Sequence, residues 1–474
     1  MSKHMIYLLG MLVYCCVMVG IGVVAKRQIK TSKDFQGAQH SIPPFVLAMT
    51  LIASWLGSGT MVGFASRVYY FGLGGIWYAV ACVFSVVYFR ALIGRIRQVP
   101  AMTTPEMLAL RYGDKARDWS VIPVFLGQAT IAAYQIKAVG YIFEITLGMS
   151  PDMGLVVGTV IILAYTFLGG FYAVAWTDVF QSCLFLCGTL VATIVAVTKV
   201  GGLNILFSSL PEGYLSVSNV DALSALGVFV PAALLGGTSM FMYQRAWAAK
   251  TVAAAKKSAN INIFGASFVY TLVLILSLVA VITLPGIRGD VVIFAVADNL
   301  PVVVGMVLLV SALAIFMSTG ASLLIASSTV FVREVYMRNK EPNEKKEIMA
   351  SRITILCIGI IGMALLRFYP SLISLALLAY SIEGAGLLCP LVVGMYWKRG
   401  NLAGAIASIA CGFTIVVGWE ILNRLGIEFA QKIHSSLIAV PVAAIAYFLF
   451  STLTENKDKE RVEKFFDNFK AEAK

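Results

Sequence analysis

The stretch LIASWLGSGTMVGF, residues 51–64, places Gly57 and Gly59 among three hydroxyl side chains inside an apolar segment. Glycine in a helix interior weakens the helix, and a break there frees backbone carbonyls. A membrane tolerates such backbone only where protein or a water-filled cavity satisfies it. The stretch PAALLGGTSMFMY, residues 231–243, has the same character. We interpret both as interrupted membrane helices. For either stretch alone, helix packing through small residues is the alternative.

The composition around these breaks is that of a membrane protein. The 474 residues are 59% hydrophobic and 13% charged, whereas soluble proteins carry about twice that charge. A spanning helix needs about 20 mostly apolar residues. The sequence therefore predicts an all-α integral membrane protein with about thirteen transmembrane helices. The segments are 5–25, 44–71, 74–96, 119–148, 151–168, 171–198, 224–247, 259–285, 301–332, 348–369, 371–397, 402–423 and 433–453.

The basic residues predict an orientation in the membrane. Lys and Arg concentrate in cytoplasmic loops. With the N-terminus outside and the C-terminus in the cytoplasm, 28 of the 36 Lys and Arg residues fall on the cytoplasmic side. The net charge of +12 then indicates contact with anionic lipid of the cell membrane, and not with nucleic acid.

The spacing of the two breaks predicts an internal repeat. They lie five spans apart, as expected for inverted repeats that each begin with a broken helix. The repeats would cover residues 44–198 and 199–397. An accessory helix and cytoplasmic loop (1–43) would precede them, and two accessory helices (398–453) would follow. The tail, residues 454–474, has apolar residues at helical spacing and is expected to lie on the membrane surface.

Hydroxyl groups cluster in the ninth predicted span, MSTGASLLIASS, residues 317–328. Ser318 and Ser322 share a helix face, and Thr319 lies beside Ser318. Hydroxyl and unwound carbonyl oxygens are hard, neutral ligands suited to a monovalent cation, and membrane transporters hold Na⁺ or H⁺ in this way. The alternative for such serines is a bond to their own helix, which we expect for Ser327 and Ser328.

Several segments resemble the sodium/solute symporter family, in the same order along the chain. The resemblance extends over about residues 45–412 and implies the leucine-transporter-type fold. That fold is a 5+5 inverted repeat with a broken first helix in each repeat and accessory helices around it. The similar segments are PEMLALRYG (105–113), LGGFYAVAWTDVFQ (168–181), MYQRAWAAK (242–250), MSTGASLLIASS (317–328) and PLVVGMYWKRGNLAGAIAS (390–408).

The resemblance also implies ion-binding residues, with Na⁺ as the coupling ion. Some family members have a second Na⁺ site, which here would use Asp178, Ser318 and Ser322. Ala321 stands where some two-sodium members have a serine, and a structural hydrogen bond to the ninth span is the alternative for Asp178. The principal Na⁺ site would take its ligands from Ala53, Leu56, Ile315, Ser318 and Thr319.

Substrate-binding residues are expected at the two breaks and at two intramembrane charges. The charges are Glu383 and Lys137, and buried membrane charges are usually functional. Glu383 would contact substrate or carry a proton. Mutual pairing is the alternative for both charges, and snorkelling is a further one for Lys137. The residues predicted to line the cavity at the breaks are Trp55, Ser58, Thr238 and Ser239.

The same positions argue against proline as the solute. The proline-transporting branch of the family has an aspartate where this chain has Trp55. That branch also has aromatic residues where this chain has Gly236, Thr238 and Ser239. One stretch, residues 380–401, looks closer to the pantothenate-transporting branch.

These observations predict a Na⁺-coupled importer of a small polar organic solute, such as a carboxylate or an amino-acid-like compound. A proton-coupled carrier using Asp178 or Glu383 is the nearer alternative, and a membrane sensor module is the more distant one. No nucleophile and base stand in a catalytic arrangement, so we do not expect an enzyme. We also expect neither a His-based metal centre nor an obligate protein partner.

Overall fold

The computed structural model describes residues 2–26, 31–37, 41–341, 343–366, 371–456 and 458–470. Within these ranges the chain is helical, and the only β-type pairing is an isolated bridge between Ile42 and Ala249. The predicted all-α class is therefore confirmed. Two short 3-10 turns, Val217–Asn219 and Gly289–Val291, are not numbered below.

The helices alternate between long apolar elements and short connecting ones. Two π-helical turns, Gly59–Phe64 and Val332–Tyr336, follow α3 and α14. Two more 3-10 turns, Gly72–Ile76 and Val393–Met395, precede α5 and follow α17. The α-helices are α1 (Lys3–Lys26), α2 (Ser32–Gln36), α3 (Pro44–Trp55), α4 (Ala65–Phe71), α5 (Trp77–Gln98), α6 (Thr104–Tyr112), α7 (Asp114–Leu147), α8 (Pro151–Val200), α9 (Leu203–Ser208), α10 (Ala222–Thr238), α11 (Met240–Ala248), α12 (Val252–Thr283), α13 (Val292–Asn299), α14 (Val302–Phe331), α15 (Glu344–Leu366), α16 (Leu372–Gly384), α17 (Leu388–Val392), α18 (Leu402–Arg424), α19 (Glu428–Lys432), α20 (Ser436–Leu453) and α21 (Lys459–Asp467).

Fewer helices than predicted are long and apolar enough to cross a membrane by themselves. Within the described ranges nine qualify, or ten if α16 and the helical residues after it, bent by 51°, form one span. The count of thirteen is therefore not confirmed. Breaks are one reason, because they divide apolar segments into pieces such as Pro44–Trp55 and Pro151–Phe167.

Both predicted helix breaks are present. The first lies at Leu56, whose φ of −92° and ψ of 62° end α3. The second lies at Ser239, whose φ of −72° and ψ of 119° separate α10 from α11. Gly170 (φ 58°, ψ 179°) kinks α8 between the predicted fifth and sixth spans, in a conformation that favours glycine.

The hydroxyl-bearing helix lies at the centre of the molecule. α14 packs against α8, α7, α3 and α11. All residues from Leu308 to Val330 are buried, including the hydroxyl cluster. The two half-helices that flank the breaks, α3 and α11, also contact each other. The fold thus brings three polar helix segments together in the protein interior.

The helix of the tail packs partly against protein, and its predicted contact with the membrane surface stays a prediction. Its helix α21 packs against α6, with Val462 and Phe465 buried. The Arg111 guanidinium lies over the ring of Phe466, with its carbon 5.4 Å from the centroid. The amphipathic face of α21 is thus covered by protein.

Candidate functional site

Three of the five predicted sodium ligands converge where α3 ends. A helix leaves its last carbonyls without intrahelical donors, and α3 ends at Trp55. The Thr319 hydroxyl lies 2.9 Å from the Ala53 carbonyl oxygen. It also lies 2.9 Å from the Ile315 carbonyl oxygen on its own helix. Three hard oxygen atoms therefore meet between α3 and α14.

The other two predicted ligands lie beside this group. Leu56 occupies the break itself, and its N–H donates to the Ile52 carbonyl at 3.0 Å. The Ser318 hydroxyl donates to Asp178 Oδ1 at 2.5 Å, so it faces α8. All five predicted ligand residues are buried. Neutral carbonyl and hydroxyl oxygens at an unwound helix fit a monovalent cation such as Na⁺.

Asp178 is the carboxylate at the centre of a second polar group. It projects from α8, is fully buried, and accepts hydrogen bonds from Ser318 on α14 and Thr50 on α3. The Arg245 Nη2 atom of α11 lies 3.7 Å from Asp178 Oδ2. The residues predicted for a second ion therefore do come together, but around an arginine.

Arg245 is a buried charge that was not among the predicted site residues. It counts among the 28 basic residues predicted to be cytoplasmic, yet its side chain is 1% exposed. Its Nη2 donates to Ser322 Oγ at 2.7 Å and also to Ser54 Oγ. The Ser54 and Ser322 hydroxyls are 3.1 Å apart. Its place in the segment MYQRAWAAK, which resembles the family, was the available signal.

A narrow cavity lies between the two breaks. It leaves about 20 Å³ for the centres of water-sized molecules, which is room for about one water. In this conformation the cavity between the breaks is therefore too small for an organic solute. Among the described residues, no charged side chain lines the cavity. The lining residues are Ser54, Trp55, Gly57, Gly59, Tyr78, Cys82, Ile131, Tyr134, Gln135, Leu235, Phe241, Tyr270, Thr319, Leu323 and Tyr380.

Four tyrosines line this cavity, and their hydroxyls form hydrogen bonds. The Tyr380 hydroxyl lies 2.7 Å from that of Tyr134 and 3.3 Å from that of Tyr78. Tyr270 accepts a hydrogen bond from Thr60 at 3.1 Å. These tyrosines come from α5, α7, α12 and α16, and sequence reasoning did not select them. Their spacing along the chain gives no sign that they meet.

The first break also presents unpaired polar atoms. Gln135 Oε1 accepts the backbone N–H of Ser58 at 2.9 Å. Among the described residues, Trp55 Nε1 and Ser58 Oγ are buried without a hydrogen-bond partner. Buried polar atoms are normally paired, so unpaired ones beside a cavity are available to a bound molecule.

Of the six predicted substrate residues, one lies in the lining of the cavity. Trp55 lines it, whereas five others do not, namely Ser58, Thr238, Ser239, Glu383 and Lys137. Thr238 donates to the Leu234 carbonyl of its own helix at 3.0 Å. Lys137 is half-buried, within electrostatic reach of Asp290 and Arg288. Substrate binding by all six residues stays a prediction.

Glu383 is held at the second break. Its carboxylate accepts the backbone N–H of Met240, the first residue of α11, at 2.9 Å. Gln128 Nε2 lies 2.7 and 2.6 Å from its two oxygens. Gln128 Nε2 is also 3.0 Å from Ser239 Oγ. The carboxylate therefore caps the N-terminus of α11, where the helix dipole favours negative charge.

A family model and individual relatives all indicate the same family. Residues 35–412 match the model of the sodium:solute symporter family. The chain belongs to the sodium:solute symporter family. The sodium/proline symporter of Escherichia coli (strain K12) is 27% identical, over 88% of this chain and 89% of that protein. The sodium/pantothenate symporter of Haemophilus influenzae is 25% identical, over 95% of this chain and 97% of that protein.

Solved structures show the same fold. A Na⁺-coupled sialic acid symporter in a substrate-bound, outward-open state superposes with a TM-score of 0.78 at 17% identity, covering 95% of this chain and 98% of that one. The nucleobase-cation-symport-1 family transporter Mhp1, in a closed conformation, gives 0.61 at 11% identity, covering 91% and 98%. The predicted leucine-transporter-type fold is confirmed.

Membership in this family decides between the functions that the sequence left open. This symporter is a multi-pass membrane protein that imports a small organic solute together with sodium. Sodium is the coupling ion. The family and the relatives named above are transporters, in agreement with the expectation that the chain is not an enzyme.

Proposed function

We propose that this symporter binds Na⁺ at Ala53, Leu56, Ile315, Ser318 and Thr319, and that the ion ties α3 to α14. The observation that carries this proposal is the position of Thr319. Its hydroxyl contacts carbonyls from both helices and also lines the cavity. One side chain therefore belongs to both the ion group and the solute cavity.

This shared position provides a route for coupling. Ser54 likewise lines the cavity, and it also contacts the neighbouring Asp178–Arg245 group. Its hydroxyl lies beside that of Ser322, which accepts a hydrogen bond from Arg245. An ion that fixes the end of α3 thus also fixes Ser54 and Trp55 at the cavity wall. Ion and solute then each favour the same conformation, and their effects on each other's affinity are reciprocal.

Substitution of Thr319 tests the sodium site. Thr319→Val keeps the side-chain shape but removes one oxygen ligand. The carbonyls of Ala53 and Ile315 then lose their contact with the Thr319 hydroxyl. A lost polar contact of about 1–3 kcal/mol raises the Na⁺ concentration for half-maximal uptake by about 5- to 150-fold. Uptake of labelled solute into proteoliposomes across a Na⁺ series measures this, and Ser318→Ala should act in the same direction.

Ser327→Ala is the matched control, because Ser327 is buried on the same helix but bonds only to its own Leu323 carbonyl. It should leave the Na⁺ dependence unchanged. Uptake that proceeds at the parent rate on a proton gradient without Na⁺ would refute the site. An unchanged Na⁺ dependence in Thr319→Val would refute it as well.

For the solute, we propose a small compound with a carboxylate group. A cavity without charged walls cannot hold an isolated charge cheaply, because a desolvated charge needs a partner. Na⁺ bound next to Thr319 would supply that partner at the cavity edge. The relatives named above are symporters of proline and pantothenate, and both compounds carry a carboxylate.

Thermal stabilisation by paired compounds tests whether the solute needs a carboxylate. Proline and pantothenate are each paired with a derivative that lacks the acid, prolinamide and pantothenol, and thermal stabilisation is measured in Na⁺ and in choline buffer. An acid that stabilises only with Na⁺, while its partner without the carboxylate does not, supports the proposal. Equal stabilisation by the acid and by the partner without the carboxylate contradicts it.

For the topology, we propose an outside N-terminus, a cytoplasmic C-terminus, and repeats over residues 44–198 and 199–397. The distribution of basic residues supports the orientation, and the two breaks at corresponding positions support the repeats.

In a cysteine-free variant, Ser209→Cys should react with a membrane-impermeant thiol reagent from outside. Asn343→Cys should react only after the membrane is opened, and the reverse pattern would invert the orientation.

A further inference from the structure

A second cavity lies beyond the first break, between α4, α10, α16, α18 and α19. We name it the outer cavity, since the proposed topology places it on the outside of the membrane. It leaves about 380 Å³ for the centres of water-sized molecules, against about 20 Å³ in the cavity between the breaks. Ligand pockets usually measure about 300–1,000 Å³. In this conformation the outer cavity is therefore large enough for a small organic solute.

The lining of the outer cavity includes an arginine without a polar partner. Arg67 of α4 is half-buried, and its Nε atom is buried without a hydrogen-bond partner. Among the described residues, no carboxylate lies within ion-pair range of its guanidinium. The guanidinium carbon lies 5.4 Å from the centre of the Phe71 ring. Because buried polar groups are normally paired, this guanidinium is available to an acceptor from outside the protein.

The other acidic and basic side chains of this lining have partners within their own elements. There are three of them, and each is satisfied close to its own position in the chain. The pairs are Asp221 with the Ser224 N–H, Glu420 with Arg424, and Lys432 with Glu428. Within the described part of the lining, Arg67 is therefore the charged side chain that remains for a bound ion of opposite charge.

The rest of the wall suits an organic anion. It includes apolar side chains such as Leu377 and Trp419, and uncharged polar ones such as Ser374 and Asn423. A guanidinium can hold a carboxylate through two parallel N–H donors, and this pairing is stronger than one between neutral groups. A small carboxylate whose body carries both apolar and polar groups therefore matches the outer cavity.

The outer cavity and the cavity between the breaks are neighbours along two helices. α16 contributes Leu377 to the first and Tyr380 to the second, which is less than one helical turn further on. α10 contributes Val228 to the first and Leu235 to the second, about two turns further on. A solute in the outer cavity thus lies next to the place that it must reach for transport.

We propose that the outer cavity is a first binding site for an organic carboxylate, and that Arg67 pairs with the carboxylate group. The solute occupies this site while the cavity between the breaks is closed. The inference rests on the carboxylate solute and the topology proposed above. The two sites differ in one respect, because Arg67 supplies the positive charge in the outer cavity. Binding there needs no Na⁺.

Protection of a single cysteine from alkylation tests the proposal. In a cysteine-free variant, Ser374→Cys places a thiol at an exposed position of the lining. The purified protein reacts with N-ethylmaleimide, an uncharged reagent, in choline buffer without Na⁺. Propionate and pantothenate should slow the reaction, whereas propionamide and pantothenol should not. Ser209→Cys, exposed and outside the lining, controls for effects of the compounds on the reagent itself.

Substitution of the arginine then tests its role. Arg67→Gln should raise the acid concentration for half-maximal protection by about tenfold or more, because a hydrogen bond to a charged group is lost. Lys432→Gln is the matched control, since it removes a cation of the same lining that already has a partner. It should match the parent. Parent-like protection in Arg67→Gln would overturn the proposal, as would an equal loss in both variants.

The parent protein alone also decides the question, even where Arg67→Gln does not fold. No protection by either acid, or equal protection by acid and amide or alcohol partner, would overturn the outer site. Protection that requires Na⁺ would overturn it as well, and would assign the acid to the cavity between the breaks. Protection without Na⁺, together with no Na⁺-dependent thermal stabilisation, would support the outer site and refute the proposed pairing of the solute with Na⁺.

Discussion

The two helix breaks arise from similar sequences but present opposite chemistry. The first break, after Trp55, exposes the C-terminal end of α3, where carbonyl oxygens point outward without helical donors. The second, at Ser239, exposes the N-terminal end of α11, where backbone N–H groups need acceptors. The first meets the Thr319 hydroxyl, and the second meets the Glu383 carboxylate.

The two breaks therefore expose opposite ends of a helix. A helix C-terminus carries partial negative charge and suits a cation, whereas an N-terminus carries partial positive charge and suits an anion. At the first break we place a mobile ion, and at the second the protein supplies its own anion. Substitutions at the two breaks should therefore change different properties of the transporter.

The largest effect is expected at Asp178, next to the first break. Asp178→Ala leaves the buried Arg245 guanidinium without its carboxylate, and breaking a buried pair costs about 3–5 kcal/mol. We expect a large fall in the thermal unfolding midpoint in detergent. The control is Asp152→Ala, at an exposed position in the first turn of the same helix. Equal midpoints for the two variants would show that the ion pair does not hold α8 to α11.

A smaller and more selective effect is expected at the second break. Glu383→Ala removes the acceptor for the Met240 N–H, and leaving a buried donor unsatisfied costs about 1–3 kcal/mol. We expect uptake to fall about tenfold or more, with Glu383→Gln less affected because it retains an oxygen. The Na⁺ concentration for half-maximal uptake should stay near the parent value. A Na⁺ shift as large as that of Thr319→Val would show that the breaks are not separate.

Glycine substitutions should sharpen the same contrast. A Cβ at Gly57 would lie 2.6 Å from Gln135 Nε2, the movable end of a cavity-lining side chain, so Gly57→Ala should weaken solute binding with little loss of stability. A Cβ at Gly236 would meet the Ser85 backbone carbonyl, which cannot move easily, so Gly236→Ala should lower the unfolding midpoint.

Gly418→Ala is the control for both, since nothing lies within 4 Å of the added carbon. Solute competition and thermal unfolding measure the two effects. If Gly57→Ala loses stability while Gly236→Ala loses only solute affinity, the assignment of the cavity to the first break is wrong.

The sequence by itself determined the membrane class, the two breaks and the family. Apolar runs, glycine among hydroxyls, and motif order are properties of neighbouring residues, so they can be read without a fold. The convergence of Thr319 with the Ala53 and Ile315 carbonyls also followed, because the family resemblance supplied the pairing of α3 with α14.

Only the tertiary structure decided what surrounds those breaks. Arg245 seemed to be a cytoplasmic charge because it closes an apolar segment, yet the turn at Ser239 directs α11 so that the guanidinium meets Asp178. Glu383 reaches Met240 across 143 positions of the chain, and the tyrosines of the cavity come from four helices. Such contacts depend on how helices cross, and packing between distant segments leaves no local pattern in the sequence.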